Sequence, residues 1–71
     1  MPLDEYAKKM LQELDKAPST VDSLATKCAG GSSRMVSPRV VWLEGLGLIE
    51  SIGGGSYTIT HVGKVLLELV S

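Results

Sequence analysis

The sequence predicts a small α+β fold in which three helices are followed by a two-stranded β-hairpin and a last helix. Two observations support this order. Apolar residues recur at helical spacing in separate segments, and two β-favouring stretches flank a glycine triplet near residue 54. Proline or glycine separates most neighbouring segments. With 71 residues the chain is long enough for one small core, and we place a single domain at residues 1–71.

The first helix is predicted from Asp4 to Lys16. Acidic residues at its start and Lys16 at its end suit the helix dipole, and Pro18 cannot continue the helix. Its apolar residues are spaced as on one helix face: Tyr6, Ala7, Met10, Leu11 and Leu14.

A second, short helix is predicted to begin near Ser19, since residues 19–22 read Ser-Thr-Val-Asp. A hydroxyl followed three residues later by an acid is close to a capping box. Gly30 and Gly31 end this helix and open a turn. The residues predicted to face inward are Val21, Leu24, Ala25 and Cys28.

The third helix is predicted within residues 34–46. Val36, Val40 and Leu43 fall on one face, and Gly47 provides a stop.

Pro38 leaves two starts open for this helix. With Ser33 as the cap, Pro38 lies inside the helix and removes a backbone hydrogen bond at a cost of about 3 kcal/mol. With Ser37 as the cap, Pro38 takes the favoured first position and the helix shortens to about nine residues. We favour the second start, with Ser33 to Val36 in an irregular turn.

Residues 48–52 and 56–60 are predicted to form the hairpin, joined by a pliable tip at residues 53–55. Tyr57 and Ile59 alternate with hydroxyl residues, so one side of the second strand faces inward.

The last helix is predicted from His61 to Val70, with Thr60 as its cap. It holds more apolar residues than one buried face needs: Val62, Val65, Leu66, Leu67, Leu69 and Val70. The mean hydropathy of the chain is +0.17, which is high for a small domain. We therefore expect a partner to cover part of the last helix.

Charge and composition exclude several classes of protein. The chain has seven Lys and Arg residues and eight Asp and Glu residues, which gives a net charge of −1. A nucleic-acid binder of this charge would need its cations grouped on one surface. No apolar run approaches the roughly 20 residues of a membrane span, and residues 1–5 lack the basic start of a signal peptide. We expect a cytoplasmic protein with no membrane partner.

The residue sets of catalytic and metal sites are also missing. His61 and Cys28 are too few ligands for zinc, and Cys28 has no partner for a disulfide. No nucleophile, base and orienting group stand out together, and the glycine triplet lacks the lysine of a phosphate loop. We expect no enzyme activity, no metal and no cofactor.

Three stretches resemble the winged helix-turn-helix, as in bacterial and archaeal repressors of the multiple-antibiotic-resistance type. Residues 19–25 (Ser-Thr-Val-Asp-Ser-Leu-Ala) resemble the start of that family's second helix. Residues 43–50 (Leu-Glu-Gly-Leu-Gly-Leu-Ile-Glu) resemble the end of its recognition helix and the start of its first wing strand. Residues 57–64 (Tyr-Thr-Ile-Thr-His-Val-Gly-Lys) resemble the second wing strand and the last helix. Together the resemblance covers nearly the whole chain.

The resemblance implies a module that binds double-stranded DNA, with helix 34–46 in the major groove and the hairpin wing on the backbone or in the minor groove. Arg34 would contact guanine or phosphate, and nearby hydroxyl groups would hold phosphates. The residues expected to contact DNA are Lys27, Ser33, Arg34, Ser37, Arg39, Gly54 and Ser56.

Dimerisation follows from the small number of cations. About three cations per protomer predict a slope of log K against log salt of about −2.7, roughly doubled in a dimer, so a monomer would bind weakly. We expect a homodimer, with Trp42, Val65 and Leu69 at the dimer or partner interface.

A second function suits the same fold. Residues 52–60 carry no charge, and the third helix contains Val41 and Trp42. These features favour a winged helix used for protein contacts within a larger assembly, with Trp42 as a binding hot spot.

Overall fold

A computed structural model of the chain describes residues 3–70, so residues 1, 2 and 71 of the predicted domain lie outside the described part. The order of elements is α1 (Glu5–Lys16), β1 (Ser19–Thr20), α2 (Val21–Cys28), α3 (Ser33–Gly45), β2 (Ile49–Gly53), β3 (Ser56–Ile59) and α4 (His61–Val70). The α+β class is therefore correct. The sheet, however, has three strands where the sequence predicted two.

Helix α1 begins as the sequence predicts. Asp4 is its N-cap, and its carboxylate accepts a hydrogen bond from the backbone N–H of Ala7 at 2.9 Å. Four of the five predicted apolar residues are buried, whereas Tyr6 lies at the surface with 36% exposure.

The start of α2 differs in detail from the prediction. Thr20 is its N-cap and accepts from the N–H of Ser23 at 3.1 Å, so the pair Ser19 and Asp22 does not form a capping box. Ser19 instead lies buried in β1, and its hydroxyl donates to the carbonyl of Ala17 at 3.3 Å. Thr20 directly precedes the first residue of α2 and therefore provides the cap, whereas the Ser19 hydroxyl is bound to Ala17.

The predicted start of the third helix at Ser37 is wrong. Helix α3 begins at Ser33, with Ser32 as its N-cap residue, and Pro38 lies inside it. This start places Val36 on the same buried face as Val40, and Val36 is completely buried. Burying a valine is favourable by about 1.5–3 kcal/mol, which is comparable to the cost of the internal proline.

The hairpin has a two-residue turn at Gly54 and Gly55, here called the hairpin tip. Both glycines have positive φ, 61° and 76°, as a type I′ turn requires. Strand β3 lies in the middle of the antiparallel sheet, between β1 and β2. The register shifts between Ser51 and Gly53, so Ile52 forms a β-bulge.

The core lies between the helices and one face of this small sheet. It draws side chains from every helix and from the hairpin, among them Met10, Leu11, Leu14, Leu24, Val36, Leu43, Ile49, Ile59 and Leu67. Helix α4 begins as predicted, since the Thr60 hydroxyl accepts from the N–H of Gly63 at 3.0 Å. None of the described helices is long and apolar enough to cross a membrane.

Candidate nucleic-acid and partner interfaces

The outer face of α3 brings together three of the residues predicted to contact DNA. Ser33, Arg34 and Ser37 are all exposed, because the opposite face of the helix is held in the core by Val36 and Val40. Within residues 3–70, Arg34 forms no salt bridge or side-chain hydrogen bond. Its guanidinium is therefore available to an external carboxylate, phosphate or base.

Val41 shares this outer face and is 71% exposed. It follows Ser37 by four residues, so it lies one turn further along the helix. Trp42, which the sequence placed at a partner interface, is half-buried and packs partly against the core. Val41 is therefore more exposed than Trp42 on α3.

Lys27, in the last turn of α2, is largely open to solvent. Its Nζ lies 4.0 Å from a carboxylate oxygen of Glu13, and its side chain is 47% exposed. A long, exposed ion pair of this kind contributes little, so Lys27 can still meet an external anion. A hydrogen bond from Lys16 is the main reason that the pKa of Glu13 is lowered, with Lys27 a minor one.

Arg39 is engaged inside the protein. Its Nε lies 3.2 Å from both carboxylate oxygens of Asp4, Nη2 lies 2.5 Å from Oδ2, and Nη1 donates to the Met35 carbonyl. The guanidinium carbon also lies 4.9 Å from the centre of the Tyr6 ring. The Arg39 side chain is only 14% exposed and joins α3 to the start of α1. The sequence had predicted that it would contact a DNA phosphate.

The pairing with Arg39 lowers the pKa of the Asp4 carboxyl group. The hydrogen bonds from Arg39, and then the one from the Ala7 N–H, lower the pKa of Asp4 from 3.8 to about 2. The sequence did not reveal the Asp4–Arg39 pair, because the two residues are 35 positions apart and no local pattern links them.

The hairpin tip is open to solvent at Gly54, and Ser56 beside it is half-buried. No charged residue lies in β3 or at the tip. This region therefore offers an external ligand its backbone groups and the Ser56 hydroxyl.

Helix α4 presents an apolar surface of its own. Val62, Val65 and Leu69 are 58%, 44% and 77% exposed. The two predicted interface residues of this helix, Val65 and Leu69, thus lie together on one exposed face.

Cys28 and His61, the remaining reactive side chains of residues 3–70, lie on different elements. Burial raises the pKa of the Cys28 thiol, which suits a core residue. His61 is exposed at the start of α4. Within the part of the chain described, no three His, Cys, Asp or Glu residues are grouped closely enough to hold a metal ion.

Comparison with protein-family models, curated proteins and solved structures gave no match to this chain.

Proposed function

We propose that this chain is a winged helix-turn-helix module that binds double-stranded DNA as a homodimer in the cytoplasm and regulates transcription. The exposed face of α3 carries this proposal, since Arg34 lies there between two hydroxyl groups and has no partner within residues 3–70. An arginine of this kind can bind guanine in a bidentate manner or a phosphate. The family assignment rests on the three stretches of sequence at residues 19–25, 43–50 and 57–64.

In this proposal α3 enters the major groove and the hairpin acts as the wing. The hydroxyls of Ser33 and Ser37 hold phosphates beside the groove, and Lys27 adds a second cation. The open backbone at Gly54 and the Ser56 hydroxyl bring the wing to the DNA backbone. Arg39 has no part in this contact, because Asp4 already neutralises it.

The number of cationic side chains that contact DNA phosphates predicts how DNA binding depends on salt concentration. With Arg34 and Lys27 as the two contacts, the slope of log K against log salt is about −0.9 times two, or about −1.8 per protomer, and about −3.6 for a dimer. Fluorescence anisotropy with a duplex between about 50 and 200 mM salt measures this slope.

The Arg34→Ala variant tests the central residue. We expect its salt slope to fall by about one per protomer, together with a loss of affinity. Lys64→Ala removes one exposed cation from α4 and serves as the matched control, whose slope should stay close to that of the unchanged protein. Binding without salt dependence, or an equal effect of the two substitutions, would contradict the proposal.

Homodimerisation is supported by the three faces of α4. Gly63 and Leu67 face the core, while His61, Lys64 and Glu68 form a polar face. Val62, Val65 and Leu69 lie on the third face, which nothing covers within residues 3–70. Apolar residues at positions i, i+3 and i+7 are typical of a helix that packs against another helix. A second copy of α4 supplies such a helix.

One observation favours a second function, contact with another protein. Val41 is 71% exposed one turn beyond Ser37 on the outer face of α3, and the hairpin carries an exposed Ile52. Apolar groups of this size suit a protein surface better than a phosphate backbone. If the duplex titration gives no salt-dependent binding, this second function is favoured over DNA binding.

A further inference from the structure

A groove of about 410 Å³ lies between the hairpin tip and the first turn of α2. Its lining residues are Thr20, Val21, Asp22, Gly54, Gly55 and Tyr57. The pairing of β1 with β3 creates it, because Ser19 lies opposite Tyr57 and Thr20 lies opposite Ser56. This pairing holds the start of α2 beside the hairpin tip.

Two polar groups in the groove lack partners. Within residues 3–70, neither the Asp22 carboxylate nor the Tyr57 hydroxyl forms a hydrogen bond or ion pair. Asp22 is exposed and is the one charged residue of the lining, so the groove carries a negative charge. A ligand that complements it is a cation.

The same chain shows which cation suits an aspartate beside a tyrosine. At the start of α1, the Arg39 guanidinium pairs with the Asp4 carboxylate and lies over the Tyr6 ring, 4.9 Å from its centre. A planar guanidinium can bind a carboxylate and stack on an aromatic ring, whereas an ammonium group acts as a compact, strongly hydrated charge. The groove is lined by the same two residue types, Asp22 and Tyr57, and no cation within residues 3–70 is bound to them.

We infer that this groove binds a guanidinium group carried on an alkyl stem, as in an arginine side chain or a small guanidine. The Asp22 carboxylate accepts hydrogen bonds from the guanidinium N–H groups, and the Tyr57 ring and hydroxyl provide the second contact. Val21 contacts the methylene groups of the stem. The hairpin tip, with no side chains at Gly54 and Gly55, leaves room for the stem to enter. This inference does not rest on the proposed function, although Gly54 lines the groove and is also a proposed wing contact.

The test is a titration followed by amide chemical shifts, with N-acetyl-arginine amide as the probe. We expect saturable shifts confined to residues 20–23 and 54–57. The equivalent lysine amide should bind more weakly, and the uncharged glutamine amide should not bind. In Asp22→Asn the affinity for the arginine probe should fall about fivefold, as expected for an exposed charge pair. Asp15→Asn removes the same charge from an exposed position on α1 and should leave the affinity unchanged.

Shifts that do not saturate, or an affinity that Asp22→Asn and Asp15→Asn reduce equally, would overturn the inference. A spectrum of free Asp22→Asn that matches the unchanged protein away from the groove shows that the variant is folded. A second comparison identifies the source of the group: an extended peptide with a central arginine that binds more tightly than the amide indicates a protein segment. Equal binding by peptide and amide indicates a small guanidine.

Discussion

At the residue scale, one carboxylate connects two helices. Asp4 caps α1 through the Ala7 N–H and also binds the guanidinium of Arg39 in α3. Because this guanidinium is mostly covered, removing its partner would leave a poorly solvated charge. Arg39 is therefore a structural residue, and the DNA-binding proposal rests on Arg34 and Lys27.

The lowered pKa of Asp4 makes stability depend on acid pH. The pKa of Asp4 is about 2 in the folded chain, compared with the ordinary value of 3.8 expected when the chain is unfolded. The ionised pair therefore stabilises the fold fully above about pH 4. This contribution is lost as the pH falls from about 4 towards 2. In Asp4→Asn, the asparagine still caps α1 but cannot pair with Arg39, so we expect a loss of about 1 kcal/mol at pH 7 and a smaller loss on acidification.

Urea unfolding at several pH values between 7 and 2 measures the difference in unfolding free energy between Asp4→Asn and the unchanged protein. Glu5→Gln is the control, since it removes one negative charge from an exposed position next to Asp4. If Asp4→Asn and the unchanged protein lose stability in parallel below pH 4, the ion pair does not have the role described.

At the scale of elements, packing outweighs local preference in α3. Residues 33–38 contain a proline that favours a later start, yet the helix begins at Ser33 and carries Val36 into the core. Local sequence rules weigh the cost of Pro38 but not the burial of a side chain that contacts distant elements. The bulge at Ile52 in β2 is a similar feature, since it depends on pairing across the hairpin.

Gly63 fixes how closely α4 approaches the sheet. A Cβ atom at this position would lie 2.2 Å from the Leu48 carbonyl oxygen and 2.7 Å from Cγ1 of Ile59. That carbonyl also accepts a hydrogen bond from the Thr60 N–H, so it cannot move freely. We expect Gly63→Ala to destabilise the fold by about 2 kcal/mol, because overpacking outweighs the better helix propensity of alanine.

Gly45→Ala is the matched control for this prediction. Gly45 also lies in a helix, has no positive φ, and has open space where a Cβ would be placed. Its substitution should therefore stabilise the fold by about 0.5–1 kcal/mol. Thermal unfolding of both variants tests the prediction. If the two substitutions shifted the unfolding temperature in the same direction, the close approach at Gly63 would be contradicted.

At the scale of the whole molecule, the fold leaves an apolar face of α4 uncovered within residues 3–70. Val62, Val65 and Leu69 contribute nothing to the core, so a charge placed among them should not disturb folding. If a second copy covers this face, Leu69→Lys should convert a dimer to a monomer of unchanged helix content. Sedimentation equilibrium measures the change.

Ile52→Lys provides the comparison for the dimer experiment. Ile52 is 51% exposed and belongs to β2, outside the proposed α4 interface, so its substitution should leave the dimer intact. An unchanged protein that stays monomeric at high concentration, or an equal effect of both substitutions, would show that α4 does not form the dimer interface.

Local patterns in the sequence predicted most of the elements. Helical spacing located α1 and α4, the caps Asp4 and Thr60 marked their starts, and the glycine triplet located the turn of the hairpin. The exposed residues of α3 also followed from its buried positions. These features depend on residues within one or two turns of each other, so the order of amino acids is enough to determine them.

Tertiary structure decided the rest. The third strand of two residues, the start of α3, the pairing of Asp4 with Arg39, and the groove at Asp22 and Tyr57 all join segments that are far apart in the chain. Their free energies come from burial, hydrogen bonds and charge across those segments, which no local pattern records. The sequence by itself therefore determined α1, α4 and the hairpin turn, and packing between the elements determined where α3 begins and which charges remain free to meet a partner.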